Sequence, residues 1–386
     1  MTKIAAFISG HGFGHAARSV NILRQLLVNG CQLTIITSVP EWFFADKIAD
    51  WNTAACTYIN YPVDVGLAQT SGIASDYRQT IRNLHEHWDK IGEKVDDLSW
   101  QLSGDLPDAV YFDIPALAPL VASRLQIPSI AMSNFSWDWI YDDLIHHDCD
   151  YSQHKIENEV KEEFIHFRDL HREAYSNTSL LLKLPYAGSF TAFQCPQIDI
   201  PWITSTLDNT RSLTLHKLGI PVGKKVALYS FGGHDLPDLQ FDKWNLPPDW
   251  CVLIIGYALK QTNPELYTFL NADITAKGVD YTEVVKAADI VVTKPGYGII
   301  ADCIAGQTPM LHVERGQFAE YPLLLNALDD TLPHRKITFS EVKKAEIFST
   351  ADQLIATAEF PRTDTFGAQK AAQLIIEAAE SAALNL

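Results

Sequence analysis

At 386 residues, with 47 acidic against 30 basic side chains, the chain carries a formal charge of −17. That balance excludes broad, salt-dependent nucleic-acid binding, which needs clustered Lys and Arg, and the length predicts two domains rather than one. Six scattered cysteines (Cys31, Cys56, Cys149, Cys195, Cys251, Cys303) without a C-x-x-C pair read as reduced thiols of a cytosolic protein and not as a disulfide framework or zinc site, and no run approaches the ~18 apolar residues of a membrane span.

Along the chain, strand-like and helix-like stretches alternate. Ile4–Ile8 predicts a strand, with too few apolar residues before Ser9 for a signal peptide, and 16–29 predicts a helix. A strand over 33–37, a helix over 42–51, a strand over 57–60 and one long helix over 73–102 follow. Strands are expected at 108–112 and 129–132, then an acidic, His-rich helical insertion or helical pair on the rim over about 139–175. A strand over 179–184 and a Pro-rich return segment over 195–202 close the first half. The pattern then restarts: strands at 226–230, 251–256, 290–293 and 310–313, with helices at 281–287 and from 298 to 305. A last, Ala-rich amphipathic helix spans about 366–383. Repeated β-α alternation predicts α/β domains built on mostly parallel sheets with helices on both faces. The expected division is 1–205, 206–365, and a C-terminal helix, 366–386, returning to the first domain.

Chemistry concentrates where strands end. Gly10-His11-Gly12-Phe13-Gly14-His15 leaves the first strand and enters a helix. Glycine lets backbone amides approach a ligand, the helix start suits an oxyanion, and two imidazoles can move protons near neutral pH. The spacing is G-x-G-x-G, and Thr37-Ser38-Val39-Pro40 supplies no acid after the second strand, so a dinucleotide fingerprint is not supported. Packing of strand on helix is the alternative use of these glycines. Asp113, at the end of another strand, is placed to orient His15 or else to cap a helix. Asn134, Phe135, Ser136, Trp137, Asp138 and Trp139 combine aromatic faces with polar groups, which suits a sugar ring or a domain interface.

In the second half, Lys294-Pro295-Gly296-Tyr297-Gly298 opens a helix and makes a phosphate seat, with Asp302 one turn on for ribose hydroxyls. Phe231-Gly232-Gly233 supplies a second glycine-lined wall, and Arg315, beside Glu314 and Glu320, can pair with phosphate or with those carboxylates. The histidines at 146, 147, 154, 166 and 171 share no single face and read as a solvated surface rather than a metal site.

Several of these stretches together resemble the GT-B glycosyltransferases of the MurG-like branch, and within that fold the glycosyltransferase-like N-terminal region of plant L-arabinokinase and its bacterial relatives. The stretches are Gly10–Arg18, Ser133–Asp138, Ser230–Gly233, Lys294–Gly298, and Arg315 with Glu320-Tyr321-Pro322. The phosphate-loop kinase half of those larger proteins has no counterpart in these residues, so kinase activity is not expected. The resemblance implies an acceptor domain followed by a donor domain facing it across a cleft, a nucleotide-sugar donor (usually uridine-linked), an unknown acceptor, and no cofactor or metal. It implies that Gly12, Phe13, Gly14 and His15, with Asn134 and Trp137, lie on the acceptor side, and that His15, Asp113 and His11 are the catalytic candidates. On the donor side it implies Gly232, Gly233, Lys294, Gly296, Tyr297, Gly298, Arg315 and Glu320, with Asp302 seven residues before Pro309 and Tyr281 in the loop that meets the base. A nucleotide-sugar epimerase and a non-catalytic nucleotide-sugar binder are the alternative functions.

Overall fold

Strands that are apolar along their whole length belong in a sheet covered on both faces, and Ala-Ala-Phe-Ile in the first strand and Ala-Val-Tyr-Phe-Asp in the fourth are buried throughout. The computed structural model describes residues 1–48, 51, 55–68, 75–146, 156–231, 244–256, 263–315 and 318–383. The chain forms two units, one made of Met1–Gln69, Ser75–Ile203 and Asp364–Leu386, the other containing Thr204–Thr363.

In the first unit the described strands are β1 (Lys3–Ile8), β2 (Gln32–Thr37), β3 (Cys56–Asn60), β4 (Ala109–Asp113), β5 (Ser129–Ser133), β6 (Leu180–Lys183) and β7 (Gln197–Asp199). They pair in parallel in the order β3-β2-β1-β4-β5-β6-β7. Central strands are buried, whereas β3 and β7 at the margins are short and partly exposed, as edge strands of soluble sheets commonly are. The helices between them are α1 (Gly14–Val28), α2 (Glu41–Ala45), α3 (Tyr77–Trp88), α4 (Ile91–Ser103), α5 (Leu117–Leu125), α6 (Trp137–His146) and α7 (Asn158–Tyr175).

Three helical expectations change. The stretch 73–102 is two helices, because α3 packs on α7 and α4 packs on α5, and the polar pair Asp89-Lys90 takes the bend between those partners. The helix expected to reach Trp51 ends at Ala45. The pair α6 and α7 carries the crossover from β5 to β6, with Phe164, Phe167 and Tyr175 fully buried. His171 lies in that core as well, its Nδ1 2.7 Å from the Phe167 carbonyl and its ring against Trp88 and Tyr141, so this histidine is not on a solvated face. His147 and His154 lie outside the described residues.

In the second unit β8 (Lys225–Ser230), β9 (Trp250–Ile255), β10 (Leu266–Phe269), β11 (Ile290–Thr293), β12 (Met310–His312) and β13 (His334–Lys336) pair in parallel in the order β10-β9-β8-β11-β12-β13. Its helices are α8 (Arg211–Leu218), α9 (Asn271–Ala276), α10 (Tyr281–Ala287), α11 (Tyr297–Gly306), α12 (Tyr321–Thr331), α13 (Phe339–Lys344) and α14 (Phe348–Ala356). The final helix, α15 (Gly367–Ala383), belongs to the first unit and packs on α1, burying Ala371, Ala372 and Ile375. Among the described residues no helix is long and apolar enough to cross a membrane.

Both sheets have a switch point, where a strand has neighbours reached by chain connections of opposite direction. In the first it lies between β1 and β4, in the second between β8 and β11. Loops leaving the carboxyl ends of the two strands diverge there and open a crevice.

Candidate functional site

In the first unit the switch point brings Gly10–His15, after β1, beside Asp113, the last residue of β4. The register pairs Ile8 with Asp113, and the Ser9 amide donates to the Asp113 carbonyl at 2.9 Å. Gly12 has φ +75°, a conformation other residues rarely adopt. The turn ends at Phe13, and α1 starts without a side-chain cap, placing His15 in its first turn. His15 is 6% exposed and Asp113 fully buried; His15 Nδ1 lies 2.8 Å from Asp113 Oδ1.

Asp113 is heavily bonded. Arg18, one helical turn after His15, donates from Nε to Oδ2 at 2.6 Å and from Nη2 to Oδ1 at 2.5 Å, while the Ser19 hydroxyl reaches Oδ2 at 3.3 Å. Burial pushes the Asp113 carboxyl up, but the Arg18 and His15 charges and their hydrogen bonds outweigh it and bring its pKa to about 2. It is therefore a carboxylate at neutral pH. A carboxylate at Nδ1 favours the tautomer with the proton on Nδ1, leaving the lone pair on Nε2. Arg18 Nη2 lies 3.0 Å from Nδ1 because both donors converge on the same carboxylate oxygen.

The other acceptor-side residues divide into a supporting layer and an open rim. Asn134 is buried and accepts from Arg18 Nη1, and Ser133 Oγ accepts from Arg18 Nη2 at 3.1 Å. Trp137 is 2% exposed and sits edge-on to the partly exposed His11, with ring centroids 5.5 Å apart. His11 in turn lies over Gly66, where an added Cβ would stand 1.9 Å from His11 Nδ1. Gly12, Phe13 and Gly14 are exposed, and Phe13 stacks on Phe43 at 5.1 Å. Asn134, Trp137 and Asp113 thus position the corner from behind, while the glycine turn forms its open face.

Two charged residues escaped the sequence reading. Arg18 stood in the quoted motif without a role, because its partner is 95 residues away. Asp64 follows β3 by four residues, in a loop with no glycine–histidine signature. Its only sequence signal is its place after a strand. Its Oδ1 accepts from the Gly10 amide and its Oδ2 from the Trp137 indole, each at 3.4 Å.

In the second unit, Lys294, Gly296, Tyr297 and Gly298 stand between β11 and α11. The α11 N-cap is Gly296, with no side-chain cap, and a Cβ at Gly298 would meet nothing within 4 Å. Burial, with Arg315 nearby, lowers the Lys294 pKa to about 8. Arg315 donates to the Pro295 carbonyl at 3.2 Å, stacks over Phe318, and lies 3.9 Å from Glu320, which caps α12. Tyr281 is hydrogen-bonded to the Ser230 hydroxyl at the end of β8, and Asp302 accepts from Thr282 at 2.7 Å, joining α11 to α10. Lys294, Arg315 and the α11 N-terminus come together, and Tyr281 reaches the neighbouring strand end. Gly232 and Gly233 lie outside the described residues.

No family model matches the chain. Over 332 residues, 84% of the chain, it is 26% identical to L-arabinokinase of Arabidopsis thaliana and spans 29% of that protein's length. Among solved structures it is similar to the glycotransferase of kitacinnamycin, with a TM-score of 0.58, 18% identity, and 97% and 98% of the two chains covered. It is also similar to a UDP-glucosyltransferase of Polygonum tinctorium that glucosylates indoxyl, with a TM-score of 0.59, 11% identity and 98% of each chain covered. Two parallel sheets, each flanked by helices, and this likeness over nearly the full length give the chain the GT-B fold of the glycosyltransferases.

Proposed function

We propose that the protein transfers a glycosyl group from a nucleoside-diphosphate sugar, uridine-linked, to an acceptor hydroxyl, with inversion and without a cofactor or metal ion. The observation that carries this reading is the His15–Asp113 pair at the β1/β4 switch point. His15 Nε2 takes the hydroxyl proton as the acceptor oxygen bonds to the anomeric carbon and the sugar–diphosphate bond breaks. Asp113 stabilises the imidazolium so formed. The first unit holds the acceptor at Gly12, Phe13 and Gly14, with His11 beside them and Asn134 and Trp137 behind.

The second unit takes the donor. The α11 N-terminus at Gly296–Gly298, Lys294 and Arg315 stabilise the departing diphosphate. Asp302 receives the ribose, Tyr281 lies on the base side, and Glu320 fixes Arg315. Uridine is favoured by the UDP-glucosyltransferase among the structural neighbours.

Thermal unfolding with a panel of nucleoside diphosphates and their sugars tests the donor, since a ligand of the native state raises its melting temperature. UDP and one UDP-sugar should do so, and a panel without effect would overturn the reading. With a binder in hand, acceptor-dependent release of UDP separates transfer from epimerisation and from simple binding.

A further inference from the structure

We propose that Asp64 is a positioning residue of the first unit's corner: its two oxygens hold the glycine turn and Trp137, and its charge supports the imidazolium that forms on His15. The proposal rests on the transfer reading only for the moment at which that imidazolium appears.

One carboxylate connects the turn after β1 with the start of α6 after β5, accepting from the Gly10 amide and from the Trp137 indole. Ser9 adds a hydroxyl donor from the same turn, and the packing of His11 over Gly66, two residues after Asp64, fixes the loop against it. A shift of Asp64 therefore moves the turn that carries His11 and leads to His15.

Charge distinguishes Asp64 from Asp113. Asp113 meets a guanidinium on both of its oxygens, so much of its charge is balanced before His15 takes a proton. Asp64 forms no ion pair with a described residue and accepts only N–H and O–H groups. The groups facing His15 are Asp113 from β4, Arg18 from α1, Asp64 from the loop after β3, and the Phe135 ring. Around Asp64 stand also Lys94 of α4 and the buried Tyr141 phenol of α6. Burial raises the Asp64 carboxyl pKa, against the lowering effect of Ser9, His15, Trp137 and the Gly10 amide. Of these, only His15 gains a full positive charge during the proposed reaction, and Asp64 is the carboxylate free to answer it.

The test needs no substrate. In the full chain labelled with 15N-histidine, the His15 resonances, assigned by their loss in His15→Gln, are followed across about pH 5 to 9. Asp64→Asn should move the His15 midpoint toward lower pH by about one unit, the effect of removing one nearby negative charge. Asp64→Glu, which keeps the charge, should return it toward the wild-type position. A folded Asp64→Asn variant with an unmoved midpoint overturns the proposal. Should that variant not fold, the 13C carboxyl resonance of Asp64 in the wild-type chain decides. It should show a second inflection where His15 titrates, and a single smooth curve overturns the proposal. Neither result depends on turnover, so failure of the transfer reading leaves both titrations interpretable. Once transfer is measured, the acid limb of the Asp64→Asn rate profile should shift to lower pH, which loss of loop order alone would not produce.

Discussion

The two switch points are built differently. At the first, function is concentrated in side chains: a histidine, two carboxylates and a guanidinium, the dyad and Arg18 locked by hydrogen bonds. At the second, the glycine turn entering α11 presents backbone amides, and among the described residues Lys294 and Arg315 add positive charge beside it. The difference fits the tasks proposed for them. Moving a proton needs one group held in one tautomer, whereas holding a spread negative charge needs several donors, none of them unique.

The sharpest break between the regions is His15→Ala. Transfer should fall by about 10²- to 10⁴-fold, the usual loss of a general base, while UDP affinity measured by calorimetry stays near the wild-type value. Equal losses in both would show that the two regions are not separate in function. Next is Asp113→Asn, which should lower transfer and also destabilise the chain by about 3–5 kcal/mol in urea unfolding, because Arg18 loses its buried counter-charge. The Asp113 pKa is lower in the folded chain than its ordinary 3.8. Its contribution is thus present above the ordinary value and lost as pH falls through about 2, and the gap between variant and wild type should narrow over that window.

A smaller effect belongs to the second region. Lys294→Gln should weaken UDP binding about tenfold, the worth of one charge-assisted hydrogen bond. With a pKa of about 8, Lys294 is charged below that value and neutral above it, so wild-type affinity for UDP should decline as pH rises through about 8 and the Gln variant should not show the decline. The mildest change is Gly66→Ala, whose methyl would meet the His11 ring and is expected to leave the His15–Asp113 pair in place. Transfer should fall less than about 10²-fold, below the range of a lost general acid–base group; a loss matching that of His15→Ala would give His11 the larger part.

How far the sequence carried these conclusions depended on range. Apolar runs ending in glycine revealed β1, β8 and β11, since strand burial and turn chemistry are both local. The short strands β7, β10 and β13 are partly exposed or polar and carry no such signature. The break at Asp89-Lys90 was illegible because the partner helices cause it. His15 and Asp113 could each be placed at a strand end, but that they touch comes from the pairing of β1 with β4. The roles of Arg18 and Asp64 are long-range throughout, which is why a motif-based reading passed over them.

The return of α15 to the first unit has a consequence for synthesis. Roughly 160 residues of the second unit emerge before the segment that completes the first, a delay of about 10 to 30 seconds at ordinary translation rates. During that interval the face of α1 that Ala371, Ala372 and Ile375 will cover is uncovered. Of the two units, the one that carries the His15–Asp113 pair is therefore begun before the other and completed after it, and the uncovered face of α1 is apolar surface open to misassembly in the meantime.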